Sequence, residues 1–159
     1  NHCKYGYNIK DNVMKLSLLR SPKRPDPTAD MGTHDFTYAL LPHTGVVTEG
    51  DTIQEGAALN LPLQYFEGKA KDSGKAIVRL SDPSLYLDAV KRAEDGDGYV
   101  IRVHECRGGA HEVQLTSDYG IKRFAPCNLL EEKTGEIEEG GTISFGIKPF
   151  EIRSYRVWF

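Results

Sequence analysis

The residue types that do chemistry are present in this 159-residue chain, but their spacing does not assemble a reactive centre. The histidines are His2, His34, His43, His104 and His111, and the cysteines are Cys3, Cys106 and Cys127. Zinc needs three or four converging N, S or O ligands, and no pair of histidines has the helical spacing of zinc proteases. His104 and Cys106 fall on one face of one strand, the position of ordinary surface or edge residues. Asp30 and Asp35 have the types of the paired carboxylates that cleave glycosidic bonds. The plainer reading makes Asp30 a turn cap and Asp35 a solvent-facing strand residue. The acidic run Glu131, Glu132, Glu136, Glu138 and Glu139 around Gly135 reads as a solvated hairpin rather than a cation site. The Trp158 ring could stack on a sugar, but a strand ending Val-Trp-Phe is more often core or interface. No nucleophile elbow and no glycine-rich phosphate loop is found. The expected catalytic and metal residues are therefore none.

Around these residues the composition describes the frame. Apolar residues make up 39% of the chain, with 16 glycines and 8 prolines, so many short elements and turns are expected. Net charge is -3 with no basic stripe, which gives nucleic-acid binding no electrostatic support. Apolar runs are a few residues long, too short to span a membrane as a helix. The chain starts at Asn1 without Met or a signal pattern, which reads as a piece of a longer product. Three irregularly spaced cysteines argue against a disulfide framework and for a reducing, cytoplasmic setting.

Period-two alternation dominates, and it predicts strands. Met14, Leu16 and Leu18 share one face of a first strand. Residues 36–41 read as a strand buried on both faces. Between them, residues 20–34 hold Pro22, Pro25 and Pro27 and form a long, stiff loop. One short helix is expected over residues 53–59, capped by Asp51 or Thr52 and ended by Pro62. The polar, small-residue stretch at 67–73 marks a boundary. Beyond it, strands follow at 76–80, 85–89, 99–103, 111–115, 142–147 and 150–159. Turns fall at Asp95-Gly96-Asp97-Gly98 and Gly108-Gly109. In the last strand the apolar parity changes, which a bulge near Ser154 would reconcile. Strands at such intervals predict a sandwich.

Two stretches carry a resemblance. NHCKYGYNIKDNVMKLSLLRSPKRPDPTADMGTHDFTYALLPHTG opens the chain. LSDPSLYLDAVKRAEDGDGYVIRVHE follows from Leu80, and IKPFEIRSYRV closes near the end. In that order they resemble the C-terminal region of glycoside hydrolase family 38 α-mannosidases of the cytosolic and bacterial type. The resemblance implies an all-β chain with at most one short helix. Residues 1–66 would close the family's β-supersandwich, 67–73 would link, and 74–159 would form its small terminal antiparallel β-sandwich. It implies a retaining, zinc-dependent α-mannosidase as the whole protein, with zinc and the aspartate nucleophile in an N-terminal catalytic domain. No cofactor is then expected in this chain. Its partners would be that catalytic domain and, for the whole enzyme, a mannose-containing glycan. Homo-oligomer formation is compatible with the same surface, whereas nucleic acid and membrane are not expected. His2 stands where the family pattern carries Asp, so no role is carried over to it.

In that family, supersandwich loops approach the substrate cleft. The loop at 20–34 is restrained by its prolines and bears side chains suited to sugar hydroxyls. Lys4, Tyr5, Arg20, Asp30 and His34 are therefore the expected cleft-rim residues. The plainer alternative is an Arg20–Asp30 pair that merely pins the loop. At the level of the whole chain, the competing readings are an independent carbohydrate-binding module and an oligomerisation sandwich. Modules of the first kind expose rows of aromatics, whereas here most aromatics alternate within strands.

Overall fold

The computed structural model describes residues 5–48, 51–69, 71 and 74–159. The chain separates into two units, Asn1–Gly45 with Gly50–Gln64, and Val46–Glu49 with Tyr65–Phe159.

The first unit begins with an antiparallel hairpin, β1 (Tyr7–Lys10) and β2 (Val13–Leu16). Asp11 and Asn12 form its two-residue turn with φ of 51° and 62°. Both central residues in the left-handed region define a type I′ turn, whose twist matches that of the paired strands. Tyr7 faces Leu16 and Ile9 faces Met14 across the pair, so these four share one face. The opposite face carries Asn8 against Lys15 and Lys10 against Val13.

Residues 17–48 form no helix or strand among the described residues. The strand expected at 36–41 is therefore not formed. Tyr38 and Leu40 are 69% and 74% exposed. A strand is stabilised by its neighbour, and an apolar run without one has no ladder to join. Helix α1 (Thr52–Asn60) follows, entered from Asp51 without a side-chain cap bond. It ends at Asn60, two residues before Pro62, in keeping with the restriction that proline places on the residue ahead of it.

The second unit is a two-sheet antiparallel sandwich. Its strands are β3 (Arg79–Leu80), β4 (Leu85–Arg92), β5 (Tyr99–Glu105), β6 (His111–Thr116), β7 (Arg123–Cys127), β8 (Glu138–Glu139), β9 (Thr142–Ile147) and β10 (Ile152–Trp158). One sheet has the order β4-β5-β10-β7-β8 and the other β3-β6-β9. Ile101, Val103, Phe124, Tyr155 and Val157 from the first sheet pack with Leu115 and Ile143 from the second. Period-two alternation sends these side chains inward, and opposing layers close over them. Truncating one of them, such as Leu115 at 0% exposure, should cost about 2–5 kcal/mol.

Two expectations are corrected here. No bulge occurs near Ser154, since β10 keeps continuous register against β5 from Ile152 to Val157. β10 is a central strand, and Ser154, Tyr155, Arg156 and Val157 are all buried. Both parities are covered, so no shift of parity is needed. The register shift lies instead in the edge strand β4, between Leu87 and Ala89. The acidic run is not wholly solvated either. Glu131 is 8% exposed, its Oε1 lies 2.8 Å from the Lys91 ammonium and its Oε2 accepts the Glu94 N–H at 2.9 Å. Arg156, also buried, reaches the carbonyls of Asp97 and Glu131 and the Asp95 carboxylate. Charged groups thus tie the loop after β7 over the outer face of the larger sheet.

A buried carboxylate fastens the end of the sandwich. Glu105 is 0% exposed. It accepts the Arg107, Gly108 and Phe150 N–H groups at 2.8, 2.8 and 2.9 Å. It thereby joins the β5–β6 turn to the turn before β10. Burial alone would push its carboxyl up; the amides of Phe150, Arg107, Gly109 and Gly108 outweigh this and hold it below the usual range.

Candidate functional site

The prolines of the loop at 20–34 exclude it from any ladder, and side-chain bonds fix it instead. Tyr5, just ahead of β1, donates its hydroxyl to the Arg20 carbonyl at 2.9 Å, and the same hydroxyl meets the Asp30 carboxylate. Asp30 has φ of 54°, a left-handed conformation that aspartate tolerates better than most residues. Its carbonyl accepts from Ser21 Oγ at 3.3 Å and from His34 Nε2 at 3.0 Å. A carbonyl only accepts, so His34 carries its proton on Nε2. The His34 ring also stacks on Phe36, 5.9 Å between centroids and 12° between planes. At the tip of the loop, the Thr28 N–H and hydroxyl both donate to Asp26 Oδ1 at 2.8 Å. These bonds, the amide's first, hold the Asp26 carboxyl below its usual range.

Four of the expected rim residues therefore meet in one network: Tyr5, the Arg20 main chain, Asp30 and His34. Lys4 lies outside the described residues, as do His2 and Cys3. The Arg20 guanidinium makes no ion pair with Asp30 among the described residues, so the plainer pinning role falls to Tyr5. Of the two carboxylates Asp30 and Asp35, the first meets the Tyr5 hydroxyl and the second is exposed. The network leaves the Arg20, Lys23 and Arg24 side chains exposed on a fastened backbone, where they can donate to an oxygen-rich ligand.

In the second unit, His104 Nδ1 lies 2.9 Å from both oxygens of Asp88, and its ring lies against Tyr86. The Cys106 thiol donates to the Ser84 carbonyl at 3.0 Å. Burial, followed by the charge of Glu105, pushes that thiol up, which suits a structural cysteine rather than a nucleophile. Burial does the same to Cys127. His111 sits 3.4 Å from Asp82 and 3.8 Å from Glu105. No group of three or more His, Cys, Asp or Glu among the described residues can hold a metal. No helix among them is long and apolar enough to cross a membrane. Sequence reading missed Tyr5 as the loop's fastening and Glu105 as a clamp. It also missed Tyr99 and Tyr119, which join Trp158 in a surface hollow.

Fold and chemistry together define the class: an antiparallel β-sandwich unit and a hairpin-and-loop unit. No reactive centre is assembled among their described residues. Residues 84–155 match the model of the glycosyl hydrolases family 38 C-terminal beta sandwich domain, and this part of the chain belongs to that family. The similarity extends beyond the matched domain. The chain is 37% identical to alpha-mannosidase 2C1 of Mus musculus over 97% of its length. It is 38% identical to alpha-mannosidase G of Dictyostelium discoideum over 98%, and 35% identical to an alpha-mannosidase of Saccharomyces cerevisiae over 100%. It spans 16%, 15% and 17% of those relatives, respectively.

Proposed function

We propose that this chain is the non-catalytic C-terminal β portion of a zinc-dependent, retaining α-mannosidase that acts on mannose-containing glycans. The observation that carries the reading is the collinear similarity of nearly the whole chain to a small part of several alpha-mannosidases. On this reading zinc and the reacting carboxylates belong to another part of the enzyme. The chain packs on that catalytic part through the apolar face of β1–β2. Tyr7, Ile9, Met14 and Leu16 remain 73%, 59%, 59% and 40% exposed, as suits surface that another layer covers. Residues 1–66 close the larger β-sandwich, 67–73 link, and 74–159 form the terminal domain. The enzyme works in the cytoplasm, in keeping with free Cys106 and Cys127.

The loop at 20–34 walls part of the substrate cleft, with Tyr5, Asp30 and His34 holding it and Arg20 reaching out. The test is made in the longer enzyme. Arg20→Ala should lower kcat/KM by roughly tenfold, about 1.4 kcal/mol, with melting temperature unchanged. Tyr5→Phe should lower the melting temperature, because it releases the loop. Unaltered kinetics in Arg20→Ala, Asp30→Ala and His34→Ala would remove this loop from the cleft.

A further inference from the structure

The second unit has a hollow of about 470 Å³ bordered by Ile77, Gly98, Tyr99, Tyr119, Trp158 and Phe159. Small-molecule sites occupy roughly 300–1,000 Å³. Tyr99 and Tyr119 belong to none of the core clusters and stay 44% and 45% exposed. The sandwich core closes without them, so packing does not account for two tyrosines at this spot.

The rings are fixed in advance of any ligand. The Trp158 indole N–H donates to Asp97 Oδ1 at 2.8 Å, and the Arg123 guanidinium lies 4.7 Å over the ring. Gly98 approaches so closely that a Cβ there would stand 2.8 Å from Trp158 Nε1. Tyr99 meets Phe159 edge-on at 5.5 Å, and the Lys75 ammonium lies 5.4 Å from the Tyr119 ring centre. Fixed aromatic side chains lose little freedom on binding, which is where flexible sites lose affinity.

The polar groups narrow the ligand class. Neither the Tyr99 nor the Tyr119 hydroxyl bonds to another described residue, and Asp97, next to Gly98, keeps a second carboxylate oxygen. A purely apolar ligand would leave these donors and acceptors unmatched. A strongly charged one would meet both signs, since Asp97 holds the Trp158 indole N–H and the Lys75 ammonium lies by the Tyr119 ring. A pyranose matches both features, with a C–H face for the rings and hydroxyls for the phenols and carboxylate. We infer that this hollow is a saccharide-binding subsite for one or two hexopyranose units. Tyr99 and Tyr119 stack on the sugar and Asp97 accepts from its hydroxyls. The choice of mannose rests on the proposed function; the sugar class does not.

Trp158 is the only tryptophan, so indole fluorescence and the indole N–H resonance report on this site alone. The chain is titrated with an α-linked mannotriose and, separately, with cellotriose. The mannotriose should give a saturable Trp158 response in the millimolar range. That response should weaken at least tenfold in Tyr99→Ala and Tyr119→Ala, both at exposed positions, with melting temperature held. A response to cellotriose but not to mannotriose upholds the sugar subsite while counting against the mannosidase reading. Absence of a saturable response to either sugar, or one that survives both substitutions, overturns the subsite. In the longer enzyme, acrylamide quenching that is the same with and without Trp158→Phe would also overturn it, because protein would then fill the hollow.

Discussion

The hairpin of the first unit and the central strands of the second carry similar alternating patterns, yet their apolar side chains end up in opposite environments. In β5, Ile101 and Val103 are both 0% exposed and face the second sheet. In β1 and β2, Tyr7, Ile9, Met14 and Leu16 share one face and all remain exposed. Alternation sorts side chains onto a face, but burial requires a second layer opposite that face. The sandwich supplies one in the β3-β6-β9 sheet. Among the described residues of the first unit, no second sheet is present. Burying an aliphatic or aromatic side chain contributes about 1.5–3 kcal/mol, so four uncovered residues are a large unused contribution. A two-stranded hairpin by itself is marginally stable in water.

The widest consequence is a difference in protection. Amides of β5 and β10 should exchange at least about a thousandfold more slowly than those of β1 and β2, a gap of roughly 4 kcal/mol in local opening. Hydrogen exchange on the purified chain measures it directly. Equal protection in the hairpin would show that its face is covered, and would break the comparison.

A smaller effect sharpens it. Glu105→Ala leaves the Arg107, Gly108 and Phe150 amides without their acceptor at a fully buried site, and should destabilise the second unit by about 2–4 kcal/mol. Glu105→Gln, which keeps one acceptor oxygen, should cost less. Neither should alter exchange in the hairpin. Because the folded-state carboxyl sits below its ordinary value, its stabilisation is present above the usual glutamate range, near about 4.3. It is lost as pH falls through the lower folded value. Acid unfolding of Glu105→Gln should therefore show a flatter pH dependence there, and an unchanged slope would remove Glu105 as the clamp.

Much of the sandwich was legible. The Asp95-Gly96-Asp97-Gly98 turn carries two glycines with φ of 79° and 85°, and the strands beside it follow the alternation. Helix α1 was placed by its limits, Asp51 and Pro62. The misses have separate causes. β1 was overlooked because its turn is Asp-Asn, two residues that reach positive φ without glycine. β7 was overlooked because Pro126 argues against a ladder. Its carbonyl still accepts the Thr134 N–H at 2.9 Å, and Gly135 packs so tightly there that a Cβ would meet the proline ring at 2.7 Å. The run at 36–41 was over-read because apolar content does not show whether a partner strand is present. In the loop, proline spacing revealed the element but not its fastening. Tyr5 and Asp30 are 25 residues apart, and no periodicity links them. Glu105 was not singled out, since its amide partners come from turns, one of them 45 residues away.

Hydrolysis of an aryl α-mannoside by the purified chain, with and without added zinc, tests the central claim most directly. The account predicts no turnover in either case and no stoichiometric zinc by metal analysis. Turnover that survives repurification and is abolished by a single substitution within this chain would contradict it.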